Sequence, residues 1–404
     1  MDTVVSLITT IIPFLFVLTL VVAVHEYGHY LAGRIFKTKI DAFSIGFGQK
    51  LFGRTDKNGV EWKVCALPLG GYVKFSGDIN AASVPDKSHL EQMRDHIAAE
   101  EGEAAVKDYY HFKPVWQRII IAAAGPMANY LLAIVIFAAL FMTLGREVTE
   151  ARVDQVVPES AAEAAGFQSG DVILEANGRS INSFSDLQEI VAYRAGAEID
   201  FQVRRDGQVV ELQATPERKV VTDRFGYEHK IGVLGISRST QGSDIQRIHY
   251  GPIDAVAEGA KRTWQVTTET LGYLKRIILG IAPADQLSGP LGIAKITGQT
   301  AEAGLQAGES IGEKLSMAFI ALIHLSAILS VSIGMLNLFP IPMLDGGHIV
   351  FYTYEAVRGK PLPERVQNFG FQVGLVMILG LMVFATWNDL VNLKVIDALR
   401  GLVS

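Results

Sequence analysis

The sequence predicts a polytopic α-helical membrane protein: four transmembrane helices with one small α+β domain inserted between the second and third. Three observations carry this. Uncharged runs at 3–24, 119–145, 315–344 and 366–388 each reach the roughly 20 residues that a bilayer crossing needs. Between the second and third runs, short β-type segments alternate with turn signals. The 404 residues are 49% hydrophobic with a mean hydropathy of +0.27, too apolar for an ordinary soluble enzyme and too mixed for helices alone.

The first helix is expected over 1–34. No positive charge precedes its apolar run (Met1-Asp2-Thr3), and the run is long for a cleaved leader, so a retained anchor is expected. The second helix is expected over 115–145, the third over 315–349 and the fourth over 366–390, with a tail at 391–404. Lysine and arginine near the span ends favour 34–118 and 345–365 as cytoplasmic, ten against six. Both termini and the inserted domain then lie on the opposite side. A net charge of −6 and a pI near 5.9 give no basic excess, so no nucleic-acid partner is expected. The one cysteine, Cys65, excludes an intrachain disulfide and an all-cysteine metal site.

The first run ends in His25-Glu26-Tyr27-Gly28-His29. This HExxH spacing puts two imidazoles on one helix face, within reach of one zinc ion, with Glu26 beside them as a general base. Ionisable side chains at membrane depth are costly and mark function. A catalytic zinc takes three protein ligands, so one more is needed. Asp345 fits, at the end of the third run in Asn337-Leu338-Phe339-Pro340-Ile341-Pro342-Met343-Leu344-Asp345-Gly346-Gly347-His348. Pro340 and Pro342 should break the helix, and broken backbone at membrane depth belongs beside protein or a wet cavity. The first and third spans both run inward, so His25 and Asp345 should meet at one depth. Nine residues separate His25 from Arg34, about 13 Å of helix, which sets the metal inside the cytoplasmic leaflet. His324 and His348 are rival ligands. His324 lies too far back along the run, and His348 only three residues past Asp345. His89, His96, His111, His229 and His249 fall in soluble parts.

The inserted domain is expected over 146–217, where acidic residues outnumber basic ones by more than two to one. Pro158-Glu159-Ser160-Ala161-Ala162, Ala165-Gly166-Phe167-Gln168-Ser169-Gly170-Asp171-Val172-Ile173 and Asn177-Gly178 resemble a bacterial PDZ domain, which binds peptide ends by strand addition. Residues 218–314 read as a strand and an amphipathic helical region outside the membrane, with 253–279 either an interfacial helix or a cover on the domain. Residues 86–108 read as a solvated helix or mobile loop within the 35–114 cytoplasmic connection.

Taken together, the chain resembles the site-2 protease family of intramembrane zinc metalloproteases, in its bacterial regulator-of-sigma-E protease subgroup. The matching pieces run in order: the HExxH motif, Phe43-Ser44-Ile45-Gly46-Phe47-Gly48, Leu67-Pro68-Leu69-Gly70-Gly71-Tyr72-Val73-Lys74-Phe75-Ser76-Gly77-Asp78, Gly125-Pro126-Met127-Ala128-Asn129, the PDZ-like stretch, Ser288-Gly289-Pro290, and 337–346. The resemblance implies that His25, His29 and Asp345 hold Zn2+. It implies that Glu26 is the base and then the acid to the leaving amine, and that Asn337 holds or polarises substrate. It also implies that Gly70, Gly71, Tyr72, Val73 and Lys74 belong to a membrane-reentrant β-hairpin (about 59–78) holding substrate as an added strand.

The hairpin answers a physical need. A membrane-spanning substrate is a helix, and unwinding it in lipid leaves polar groups unsatisfied; an edge strand offers replacements. The implied setting is the bacterial inner membrane, with the termini and PDZ-like domain periplasmic and the site near the cytoplasmic leaflet. Implied partners are the lipid bilayer, peptide ends at the PDZ-like domain, and single-span membrane proteins (anti-sigma factors, remnant signal peptides) already cut outside. The subgroup often carries two tandem PDZ modules; only one can be placed here. The alternative is a non-proteolytic scaffold or chaperone binding peptide ends. It leaves Glu26 without purpose, and a structural metal site closes with four ligands where three are found.

Overall fold

The computed structural model describes residues 2–77, 87–181, 183–222, 228–238, 245–279 and 288–392. It forms two compact units, one of Met1–Ala139 with Ala255–Ser404, the other Leu140–Asp254.

The first unit opens with helix α1 (Asp2–Ile35), which contains Pro13 without ending there. Beyond its end Lys37 takes a left-handed turn, φ 56°. Buried Lys113 closes this end, donating to the Phe36 carbonyl at 2.8 Å and the Lys37 carbonyl at 3.2 Å. Carbonyls there have no intrahelical donor. Burial lowers the Lys113 pKa, against the opposing pull of Asp108 at 3.6 Å.

Strands β1 (Ile40–Thr55) and β2 (Glu61–Phe75) follow and pair antiparallel. Asp56 builds the connecting turn, accepting from the Asn58 and Val60 backbone N–H groups and from Trp62 Nε1. Residues 42–45 of β1 are flanked on both sides, by 71–74 and by 61–64 of β2. Among the described residues, the 71–74 segment is therefore paired along one side. The pair packs Phe43, Val60 and Phe75 against Tyr30 of α1 and Ile121 of the later helix over Val115–Thr143. Helices α2 (Lys87–Glu101) and α3 (Glu103–Val106) cover a small cluster of Ile97, Val106 and Tyr109. Within 86–108, only residue 86 lies outside the described residues; Asp78 of the sequence motif lies outside them too. Helix α4 (Val115–Thr143) then approaches α1 closely: a Cβ on Gly28 would strike the Ala124 carbonyl and Ala128 Cβ.

The second unit holds strands β3 (Arg146–Thr149) and β4 (Gln155–Val156), helix α5 (Ala161–Ala164), strands β5 (Val172–Ala176) and β6 (Arg179–Ser180), and helix α6 (Phe184–Tyr193). Strands β7 (Ile199–Arg205), β8 (Gln208–Ala214), β9 (Glu217–Thr222), β10 (Glu228–Val233), β11 (Ile236–Ser237) and β12 (Ile245–Ile248) complete it. Its main sheet has the order β6-β5-β7-β8. Two tight hairpins set the register: Asn177-Gly178 (φ 50°, 71°) between β5 and β6, and Asp206-Gly207 (φ 49°, 84°) between β7 and β8. Ser160 and Ser183 accept from backbone N–H groups at the starts of α5 and α6. Asp171, fully buried, takes two 2.7 Å bonds from Arg205. The core includes Leu234, and β11 pairs with β4, so the unit continues past 217. A two-residue strand joins a fold only through a distant partner, which explains why local pattern ends the domain early.

Four more helices follow in the first unit after α7 (Pro252–Ile278), which begins at the unit boundary: α8 (Pro290–Ala307), α9 (Ile311–Asn337), α10 (Asp345–Arg358) and α11 (Glu364–Asn392). α7 turns a small-residue face inward, with Gly259 against Ile134 and Ala138 of α4, and leaves Val256, Trp264 and Ile278 exposed. α8 meets α1 at Gly298 against Thr10. Its N-terminus is capped from α11: Asp389 accepts from Gly289 N at 3.0 Å and Gly292 N at 2.9 Å. Both glycines leave room for that carboxylate. The helices α1, α4, α9 and α11 are long and apolar enough to cross a membrane.

The third span, expected over 315–349 with Pro340 and Pro342 breaking the helix, is two helices. α9 stops at Asn337 and α10 starts at Asp345. Pro340 and Pro342 lack the N–H that continuation needs, and Met343 turns left-handed at φ 86°. Gly346 and Gly347 lie directly on the Leu338, Phe339 and Ile341 carbonyls, where no Cβ would fit. α10 is pinned at its other end: Arg118 of α4 pairs with Glu355 at 2.6 Å and lies over the Tyr352 ring.

Candidate metal centre

The break between α9 and α10 brings Asp345 to the HExxH face of α1. Asp345 Oδ2 lies 3.2 Å from His25 Nε2, and Oδ1 lies 3.5 Å from His29 Nε2. The two Nε2 atoms are 3.2 Å apart. His25 is buried, and His29 and Asp345 are nearly so. One atom from each lies within 4.8 Å of the others. With metal–ligand bonds of about 2.0–2.1 Å, a tetrahedral site has ligand–ligand edges of about 3.3 Å, so these three residues fit a zinc ion. Asp345 Oδ2 is also buried without a hydrogen-bond partner among the described residues, a costly state that a cation would relieve.

Helix α4 supplies the outer contacts. His29 Nδ1 is 2.8 Å from the Ile121 carbonyl. A carbonyl only accepts, so Nδ1 carries a proton, which leaves Nε2 as the ring atom that would bind a metal. The Asn129 amide lies 3.3 Å from His25 Nδ1. Gly125 makes space: a Cβ there would strike His29 Nε2 and lie 2.9 Å from His25 Cε1. Gly125→Ala is therefore expected to lower zinc affinity by at least about 10-fold, the scale on which ligand orientation matters. Chelator competition on the purified chain measures this, and unchanged affinity would contradict the steric argument.

Glu26 stands beside the cluster, with the Val73 backbone N–H near its carboxylate. Gly71 is packed as tightly: a Cβ on it would lie 2.8 Å from the Ser44 carbonyl, 3.0 Å from Glu26 Cγ and 3.2 Å from Val22 Cγ1. Gly70 backs onto the Phe47 ring, and Tyr72 stacks near it at 6.0 Å. Lys74 reaches Asp41 at 3.8 Å. Asn337 is half-buried at the last position of α9. His348 lies among Tyr352 and Phe371, and His324 beside Phe137; neither joins the three-residue cluster found among the described residues. His324 is 13 residues before the end of α9, about 20 Å back along the helix. The roles of Asn129, Ile121 and Gly125 carried no local signal beyond the letters of the 125–129 motif.

A sequence profile of peptidase family M50 matches residues 13–381. Metalloprotease MmpA of Caulobacter vibrioides is 47% identical over 97% of this chain and 98% of its own. Two provisionally named zinc metalloproteases, from Agrobacterium fabrum and Rhizobium meliloti, are 44% and 45% identical, over 95% and 94% of this chain and 96% of each relative. A solved PDZ domain of an SdrC-like protein from Listeria monocytogenes aligns at 16% identity over 21% of this chain and 83% of its own, with a TM-score of 0.17. A profile match over nearly the whole length, over a membrane-spanning framework with a clustered His-His-Asp set, means that the chain belongs to peptidase family M50, the site-2 protease family, and is a multi-pass membrane zinc metalloprotease.

Proposed function

We propose that this chain cuts single-span membrane proteins within the bilayer, after another protease has removed their extracytoplasmic part. The observation that carries this reading is the placement of the 71–74 strand against Glu26, beside His25, His29 and Asp345. The cluster sits on a helix long and apolar enough to cross a membrane, and a helical substrate opened there needs replacement hydrogen-bond partners.

His25, His29 and Asp345 would hold the zinc. When bound, it supplies a Lewis acid that acidifies water and polarises the scissile carbonyl. The chain's own residues do the rest. The substrate lies along Gly70, Gly71, Tyr72, Val73 and Lys74 as an added strand, replacing the helical hydrogen bonds it gives up. Gly71 lets the two backbones close beside Glu26. The Glu26 carboxylate takes the proton of the attacking water and delivers it to the departing amine nitrogen. Asn337, at the helix break, steadies the unwound substrate. The PDZ-like unit admits substrates whose outer part is gone, by size or by a freshly exposed end. Membrane-bound anti-sigma factors and remnant signal peptides fit this description. Their cleavage would be regulated intramembrane proteolysis in the bacterial inner membrane, with the termini and PDZ-like unit periplasmic.

The test uses the full chain in detergent with a single-span model substrate. Cleavage inside the span is expected. Gly71→Ala should slow it by about 10- to 100-fold, since small misplacements at a reacting centre cost that much, with zinc content unchanged. Full activity in that variant would remove the strand from the proposal, and failure to cut any single-span substrate would remove the substrate class.

A further inference from the structure

The two imidazoles are supported differently on their far sides. His29 donates Nδ1–H to the Ile121 carbonyl, so its Nε2 is the atom that turns to a metal. His25 faces the Asn129 carboxamide instead. We infer that Asn129 is the positioning residue of His25, its side-chain oxygen accepting the Nδ1 proton so that Nε2 is free to bind the cation. This rests on the reading of His25 as a zinc ligand.

The observations converge on that amide. Asn129 is fully buried, and its Oδ1 has no hydrogen-bond partner among the described residues. A buried acceptor without a donor is a rare and costly state. As placed, the nitrogen end of the amide faces His25 Nδ1. That arrangement suits a ring carrying its proton on Nε2. A cation at the cluster needs the other tautomer, with the proton on Nδ1. A half-turn of the amide supplies it, because the oxygen and nitrogen ends are nearly the same size and shape. The idle acceptor then takes the Nδ1 proton.

The scaffold holds Asn129 for this task. Ser330 of α9 donates to its backbone carbonyl at 2.9 Å. Gly334 lets α9 come close enough that a Cβ there would lie 3.1 Å from Asn129 Cβ. Ile121 and Asn129 stand eight residues apart on α4, about two turns, so one helix face serves both imidazoles. Partners of this kind fix the tautomer and orientation of metal-bound histidines, and their loss costs about 10- to 100-fold in metal affinity.

The test is zinc affinity, read by chelator competition on the full chain stripped of metal in detergent. Asn129→Leu keeps the branched shape of the side chain and removes the acceptor; affinity should fall by about 10- to 100-fold. Asn129→Asp keeps an acceptor at the same place and should restore affinity to the native level. A merely structural role predicts the reverse, since a buried carboxylate perturbs packing more than leucine does. Native affinity in Asn129→Leu, or an Asn129→Asp variant that binds zinc no better than the leucine one, overturns the inference. His25→Ala is measured alongside. If it binds zinc like the native chain, the ligand assignment itself has failed, whatever Asn129 does.

Discussion

Asp345→Ala is expected to bind zinc more than 100-fold more weakly and to lose detectable cleavage. Asp345 is the one member of the cluster that does not belong to α1, and its carboxylate lies 3.2 Å and 3.5 Å from the two imidazole nitrogens. Removing an outer partner of a metal ligand already costs about 10- to 100-fold; removing a ligand costs more. Two histidines on one helix turn then remain, and half of the four zinc positions lack a protein ligand. Asp345 also opens α10, where a negative charge favours the helix N-terminus by about 0.3–1 kcal/mol. Asp345→Asn separates these effects, since it keeps shape and polarity while discarding the charge that binds metal. Metal analysis gives zinc per chain, circular dichroism reports helix content, and a single-span substrate reports cleavage. A variant that keeps both zinc and activity would end the case for Asp345.

Glu26→Gln should behave differently. Zinc content and substrate capture are expected to persist while turnover falls by about 10²- to 10⁴-fold, the usual share of a positioned general base. Glutamine keeps the shape of the side chain and an acceptor oxygen near the Val73 N–H. What disappears is the ability to take a proton from water and return it to the leaving nitrogen. In cells, this variant should accumulate membrane stubs that the native protein consumes. Comparative proteomics would read them out and name the substrates. If turnover matches the native chain, another group is the base.

Much of this was legible residue by residue. The four spans are long uncharged runs, and solvation alone decides them, because lipid penalises each exposed charge or open backbone group wherever it falls. The HExxH spacing places His25 and His29 on one face of whatever helix contains them. The Asn177-Gly178 and Asp206-Gly207 turns announce their hairpins, since the required left-handed backbone suits few residue pairs. Pro340 and Pro342 announce a break near Asp345, and α10 begins there anew.

Other features had no local trace. Gly28 and Gly125 are ordinary letters until α1 and α4 cross, when each proves to be where the other helix presses closest. Asp389 caps α8 from 97 and 100 residues away. Arg118 meets Glu355 across 237 positions. Strand β11 completes the inserted unit from beyond its apparent end. Such pairs depend on how whole helices and strands dock, and docking sums many weak contacts that no short window contains.

The division at the site is the same. Taken alone, the chain's letters determined a membrane protein with two imidazoles and a carboxylate on one helix turn, and they named Asp345 as the missing ligand. Tertiary structure decided how near Asp345 comes to the two imidazoles, that a β-strand lies against Glu26, and that Asn129 stands behind His25. Local order follows from backbone geometry and solvation acting on neighbours, whereas a three-residue site drawn from segments 300 residues apart exists only after the helices have packed.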